Sequence, residues 1–135
     1  MIQGVSVITV IVRDQEDALQ FYTEKLGFVK HTDMRMGPDG PRWVSVAAQA
    51  HPVPELTLFH PPSFMGPEAA AEMLGLIGKM PGVVLGTDDC RQTISELEAK
   101  GVKILQQPQD QPYGVEAVFA DLYGNAYVLV QPAQK

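Results

Sequence analysis

Cysteine is almost missing: Cys90 stands alone in 135 residues. A single thiol excludes an internal disulfide and any cysteine-cluster zinc site, and it suits a reducing cytoplasm. Basic residues are also few, ten Lys and Arg against sixteen Asp and Glu, for a net charge of −6. With no Lys/Arg cluster, this balance argues against nucleic acid as a partner. No apolar run approaches the ~20 residues of a membrane helix, so no membrane partner is expected. The opening "MIQGVSVITVIVRD" lacks a basic start and a cleavage-like site, and reads as a first strand rather than a signal peptide. A Gly-rich phosphate loop and a G-x-S-x-G elbow are absent too. The expectation from these absences is a cytoplasmic chain.

What is present points to one folded domain. Apolar residues make up 45% of the chain, and 135 residues suffice for a hydrophobic core. Residues 4–12 are rich in Val, Ile and Thr and read as a strand buried on both faces. In "RDQEDALQFYTEKLGF", Asp14 is an N-cap, Glu16 and Asp17 suit the first turn, Ala18, Phe21, Tyr22 and Leu26 form an apolar stripe, and Gly27 ends the helix. Strands are expected near 28–36 and over 42–49, joined by the turn cluster "GPDGP", and again in "PELTLFH".

The order then repeats. Residues 83–87 read as a strand and "DDCRQTISELEAKGV" as a helix capped by Asp88 or Asp89 and closed by Gly101. Residues 102–106, 115–120 and 126–131 read as strands, with "DLYGN" as a turn. Asp14 to Gly27 spans the same interval as Asp88 to Gly101, so two β-α-β-β-β copies about 74 residues apart are the economical reading. Between them, "PPSFMGPEAAAEMLGLIGKMP" reads as a connecting helix with a stripe of Ala69, Ala70, Met73, Leu74 and Ile77; a cavity lid or dimer arm is the other option.

In "PELTLFHP", alternation sends Leu56 and Leu58 to one face and Glu55, Thr57 and Phe59 to the other. The leucine face is core. The carboxylate on the other face is either a solvated side chain or part of a site.

The pieces "RDQEDALQFYTEKLGF", "PELTLF", "DDCRQTISELEAKGV" and "PYGVEAVFADLYGN", with the strand that follows, cover nearly the whole chain. Together they resemble the vicinal oxygen chelate superfamily of glyoxalase I, bleomycin-resistance proteins, fosfomycin-resistance enzymes and extradiol dioxygenases. One departure is Leu122, where the family usually has proline. The resemblance implies an α+β fold: two βαβββ modules forming a curled mixed sheet around one cavity, helices outside, often as a homodimer. The modules are expected at 1–60 and 82–135, with the linker helix at 61–81.

The resemblance also implies where a metal enzyme of this kind would place its ligands. The four positions fall on Val7, Glu55, Gly82 (or its neighbour Val83) and Val128, of which only Glu55 can ligate. A divalent ion wants several N or O ligands, so no metal or other cofactor is expected. His31, His51 and His60 read as surface or loop residues, with His60 on the face opposite Glu55. Glu55 is then a wet-mouth carboxylate, an anchor for a cationic or hydroxylated ligand, a proton acceptor, or a residual metal ligand. Arg13, Arg35 or Arg42 could pair with it.

By strand parity Val7, Thr9 and Ile11 share a face, as do Ala126, Val128 and Val130, while Gly82, Val84 and Gly86 are small or apolar. A pocket lined this way is apolar with few polar handles, suited to a small molecule. The expected lining is Val7, Thr9, Trp43, Ser45, Glu55, Thr57, Phe59, Val84, Tyr113, Glu116 and Val128. Trp43 is core or a stacking wall, Tyr113 a loop residue at the pocket mouth, and Glu116 a second cavity carboxylate or an exposed one. Cys90 opens a helix whose dipole could activate it, but Asp88 and Asp89 oppose that, and it reads as inert. The function expected is a metal-free binder of a neutral or cationic, partly aromatic molecule. The alternative is a lyase, isomerase or dioxygenase-like enzyme using Glu55 as catalytic base or as a remaining metal ligand.

Overall fold

In the computed structural model, which describes residues 1–80 and 82–134, the chain divides into two compact units, Met1–Ile77 and Gly78–Lys135. Pro81, at the end of the expected linker, and Lys135, at the end of the expected second module, lie outside the described residues. Each unit holds one four-stranded mixed sheet, and neither sheet closes into a barrel.

In the first unit, β1 (Val7–Ile11) leads to α1 (Gln15–Gln20), then β2 (Val29–Arg35), β3 (Arg42–Ala47) and β4 (Glu55–Phe59). The strand order is β1-β4-β3-β2, with β1 parallel to β4 and the other pairs antiparallel. Val10, Val44, Val46, Leu56 and Leu58 are buried, and α1 covers β3 and β4 with Ala18 and Leu19 turned inward. Asp14 caps α1 by accepting from the Asp17 amide at 2.8 Å. The expected continuous helix to Gly27 instead widens into a π-helical turn over Phe21–Lys25. Thr23 donates its hydroxyl back to the Leu19 carbonyl at 2.7 Å, which intrudes on the helical ladder, and Leu26 bonds to Phe21 five residues back. Both Phe21 and Tyr22 are buried there, Tyr22 completely.

A short α2 (Pro61–Phe64), which the sequence reading did not separate, precedes α3 (Pro67–Leu74). Of the expected stripe only Ala70 is fully buried; Ala69 is exposed and Met73, Leu74 and Ile77 are half-buried.

The second unit repeats the plan: β5 (Val83–Gly86), α4 (Cys90–Ala99), β6 (Lys103–Gln111), β7 (Gly114–Ala120) and β8 (Ala126–Pro132), in the order β5-β8-β7-β6. Asp89, rather than Asp88, caps α4 by accepting from the Gln92 amide at 3.0 Å. Gly27 and Gly101 follow their helices at φ +80° and +85°, the left-handed conformation that glycine tolerates. β6 runs to Gln111, well beyond the expected 106, because register shifts let it follow β7 past Pro108. Gly114 forms the tight β6–β7 turn at φ +140°. The "DLYGN" turn is held by buried Asp121, whose carboxylate accepts from the Tyr123 and Asn125 amides at 2.8 and 2.9 Å. That clasp does not involve the side chain at 122, so leucine serves where the resembled family has proline.

Candidate ligand-binding site

The register of the first sheet decides which side chains meet. Thr9 pairs with Thr57, Thr57 with Ser45, and Ser45 with Thr32, so one row of hydroxyls crosses all four strands. Ser45 and Thr57 are buried, and Thr57 donates to the Val44 carbonyl at 3.3 Å. In the next row Val7 is the direct partner of Glu55. Further along, half-buried Phe59 stacks on Phe64 at 4.7 Å between ring centroids, and Trp43 meets Phe64 edge-on at 6.2 Å. Seven of the expected lining residues, Val7, Thr9, Trp43, Ser45, Glu55, Thr57 and Phe59, therefore lie on one face of this sheet. Phe64 joins them from α2.

Glu55 is not bare. Its Oε1 accepts from the Ser45 hydroxyl at 2.5 Å and lies 2.9 Å from His31 Nδ1. None of the three arginines weighed as partners reaches it: Arg42 is bound by Asp33 at 2.8 and 2.9 Å and lies near Glu16, and Arg35 donates to the Gly40 carbonyl. His31 is a surface residue, as the sequence reading expected, and its contact with Glu55 is what that reading did not foresee. It sits in β2 at a register shift, since Lys30 pairs with Val46 while Thr32 pairs with Ser45. One extra residue opposes the partner strand there, so alternation cannot say which way it points. His60 lies just past β4 and bonds Ser63 at 2.5 Å.

In the second unit the row equivalent to the hydroxyls is mostly apolar. Val84, Val128 and Val118 are register partners in a row that ends at Gln106. Val84 is 63% exposed and Val128 half-buried. Glu116 pairs with Val130, two residues along from the valine row, and so shares its face. Tyr113, exposed beside the β6–β7 turn, is bonded to the Glu116 carboxylate, and that bond pushes the phenol pKa up. Cys90 is fully buried, with its thiol toward the Leu129 carbonyl, and burial raises its pKa. That environment is one of an unreactive thiol.

The resembled metal site is not reproduced in its donor set. Val7, next to Glu55, has no donor, Gly82 has no side chain and Val128 is apolar. Among the described residues no three His, Cys, Asp or Glu side chains gather. Glu55 and His31 make two donors, short of the three or four protein ligands a resident zinc ion takes.

Residues 4–129 match the sequence model of the Glyoxalase/Bleomycin resistance protein/Dioxygenase superfamily. An uncharacterized protein of Shewanella frigidimarina is 32% identical, covering 97% of this chain and 95% of its own. Among solved structures, UcmS2 is 36% identical with a TM-score of 0.86, covering 97% of this chain and 99% of its own. TnmS3, described as an antibiotic binding protein from Streptomyces sp. CB03234, is 31% identical with a TM-score of 0.78 and 98% coverage of both chains. A full-length match of this kind, over the fold and register just described, makes the chain a member of the glyoxalase/bleomycin resistance protein/dioxygenase superfamily.

Proposed function

We propose that the chain is a metal-free small-molecule-binding protein that takes a neutral or cationic, partly aromatic ligand on the Glu55 face of its first unit. The observation that carries this is the pairing of one carboxylate with an aromatic cluster. Ser45 and His31 both engage Oε1 of Glu55, which leaves Oε2 to meet a ligand donor. Trp43, Phe59 and Phe64 offer ring faces and edges further along the same face, toward the other end of β4, and such surfaces hold a flat ligand through area burial and ring–ring geometry worth about 0.5–1.5 kcal/mol per pair. The likeness to an antibiotic binding protein supports the same reading. Exposed Val7 and Val84 leave apolar strand surface uncovered, which favours a homodimer.

A second reading is favoured by one contact. The 2.9 Å approach of His31 to Glu55 is what an enzyme would use to orient a general base. In that reading Glu55→Gln abolishes turnover while leaving affinity nearly intact.

Calorimetry with a flat aromatic cation and its neutral isostere separates these. Glu55→Ala should weaken the cation about tenfold, near 1.4 kcal/mol, and the neutral probe far less. The dialysed protein should carry no stoichiometric metal and run at dimer mass in light scattering. One tightly held divalent ion per chain, or equal loss for both probes, sinks the binding proposal.

A further inference from the structure

The first unit has a second concave feature that shares no residue with the Glu55 face. It is an open groove of about 540 Å³ where the start of α1, the β2–β3 hairpin and the start of α2 meet. The chain is acidic and has only four arginines, yet three of them, Arg13, Arg35 and Arg42, line this groove together with His60. The register explains part of the convergence. Arg35 and Arg42 are direct partners across β2 and β3, so their side chains leave the same face side by side. Like charges directly opposite one another cost stability, and the fold relieves only one of them.

Arg42 is committed. Its Nε and Nη2 bind the two Asp33 oxygens at 2.9 and 2.8 Å, and Glu16 lies 3.4 Å away. The Gln15 amide ties the Arg42 and Leu58 carbonyls at 2.7 and 2.9 Å, fixing the groove floor. Arg35 spends one nitrogen on the Gly40 carbonyl at 3.1 Å, and the Arg13 guanidinium makes no hydrogen bond or ion pair with the described residues. The His60 Nδ1 is taken by Ser63, so Nε2 is the ring nitrogen left outside that contact. Two guanidinium forks thus retain most of their donors in one built recess. Guanidinium is the group that meets a planar or tetrahedral oxyanion with paired hydrogen bonds.

We propose that this groove is an anion site for a compact oxyanion group, a carboxylate or a phosphate or sulfate ester, read by Arg13 and Arg35 with His60 at the edge. Asp14, Glu16 and Asp39 also line it, which disfavours extended polyanions and limits the ligand to one or two charges. Arg42 and Trp43 are neighbours on β3 and leave opposite faces of the sheet, so the groove stands whether or not the Glu55 proposal holds.

Inorganic phosphate and acetate, each titrated against the intact protein at constant ionic strength with chloride, supply the test by amide chemical-shift mapping. Saturable shifts around 13–16, 35–42 and 60–63 are expected with one or both anions, and the stronger of the two identifies the source. Arg13→Gln and Arg35→Gln should each weaken binding at least tenfold, and Asp39→Asn should tighten it a few-fold. Arg91→Gln, which removes a cation paired with Asp110 in the second unit, should change nothing. Shifts that track chloride equally, or that survive Arg13→Gln and Arg35→Gln with Asp39→Asn neutral, overturn the proposal.

Discussion

The two units share a scaffold and differ in one row of side chains. Thr9 lies five residues before its helix cap at Asp14, and Val84 lies five residues before Asp89. The rows through them are Thr9–Thr57–Ser45–Thr32 in the first sheet and Val84–Val128–Val118–Gln106 in the second. Both units bury an apolar core behind these rows that includes one almost fully buried tyrosine, Tyr22 in the π-helical turn of the first and Tyr127 on β8 of the second. Repeated packing therefore sets the fold, while the corresponding rows differ: hydroxyls in the first copy, valines in the second, where the polar groups, Glu116 and Gln106, stand outside the valines. In the proposed reading, function sits in the difference between copies, as for a site grafted on a scaffold.

Three measurements can break or sharpen this contrast. The largest effect tests the likeness of the cores. Tyr22→Ala and Tyr127→Ala should each cost about 3–5 kcal/mol in urea denaturation, since both leave large cavities among packed rings. A cost below about 1 kcal/mol in one unit would mean the cores are not equivalent. The next tests the unlike rows. Thr57→Val should cost about 1 kcal/mol through the hydroxyl lost to the Val44 carbonyl, whereas Val128→Thr, half exposed, should stay within about 0.5 kcal/mol. The reverse ranking would refute the contrast.

The smallest concerns Asp33, whose carboxyl is held down to about 2, chiefly by its hydrogen bonds from Arg42. A depressed carboxyl contributes stability above its ordinary value, near pH 4, and loses it as the pH falls toward 2. At this solvent-screened position the contribution is about 0.5 kcal/mol. Asp33→Asn should remove it at neutral pH and make no difference near pH 2, as read from melting curves across that range.

Much of this was legible because it depends on local rules. Asp14, Gly27 and Gly101 mark helix ends through capping and φ, and Leu56 and Leu58 announce a buried face through alternation. The face of Glu55 followed from the same alternation, but its partner did not. His31 stands at a register shift, where counting by two fails, and no neighbour in sequence signals the extra residue. Phe64 was hidden for a different reason: α2 is a single turn, too short for periodicity, and its ring joins Trp43 only through the tertiary fold. A proline pair just after a strand and three residues before an aromatic was the available hint. The arginine groove needed the Arg35–Arg42 register, which a hairpin with a five-residue turn cluster left open.

Gly114 carries a consequence of another kind. A Cβ there would lie 2.0 Å from the Gln131 carbonyl oxygen and 2.9 Å from the Ala133 amide nitrogen, on a backbone at φ +140°. Both obstacles are main chain, which cannot rotate aside as a side chain can. Of the twenty residue types only one is admissible at this corner, so the segment presenting Tyr113 has almost no freedom to drift in length or composition on its strand side. Variation that retunes what the second unit displays must enter on the other side of the corner, through Gln111, Pro112 and Tyr113.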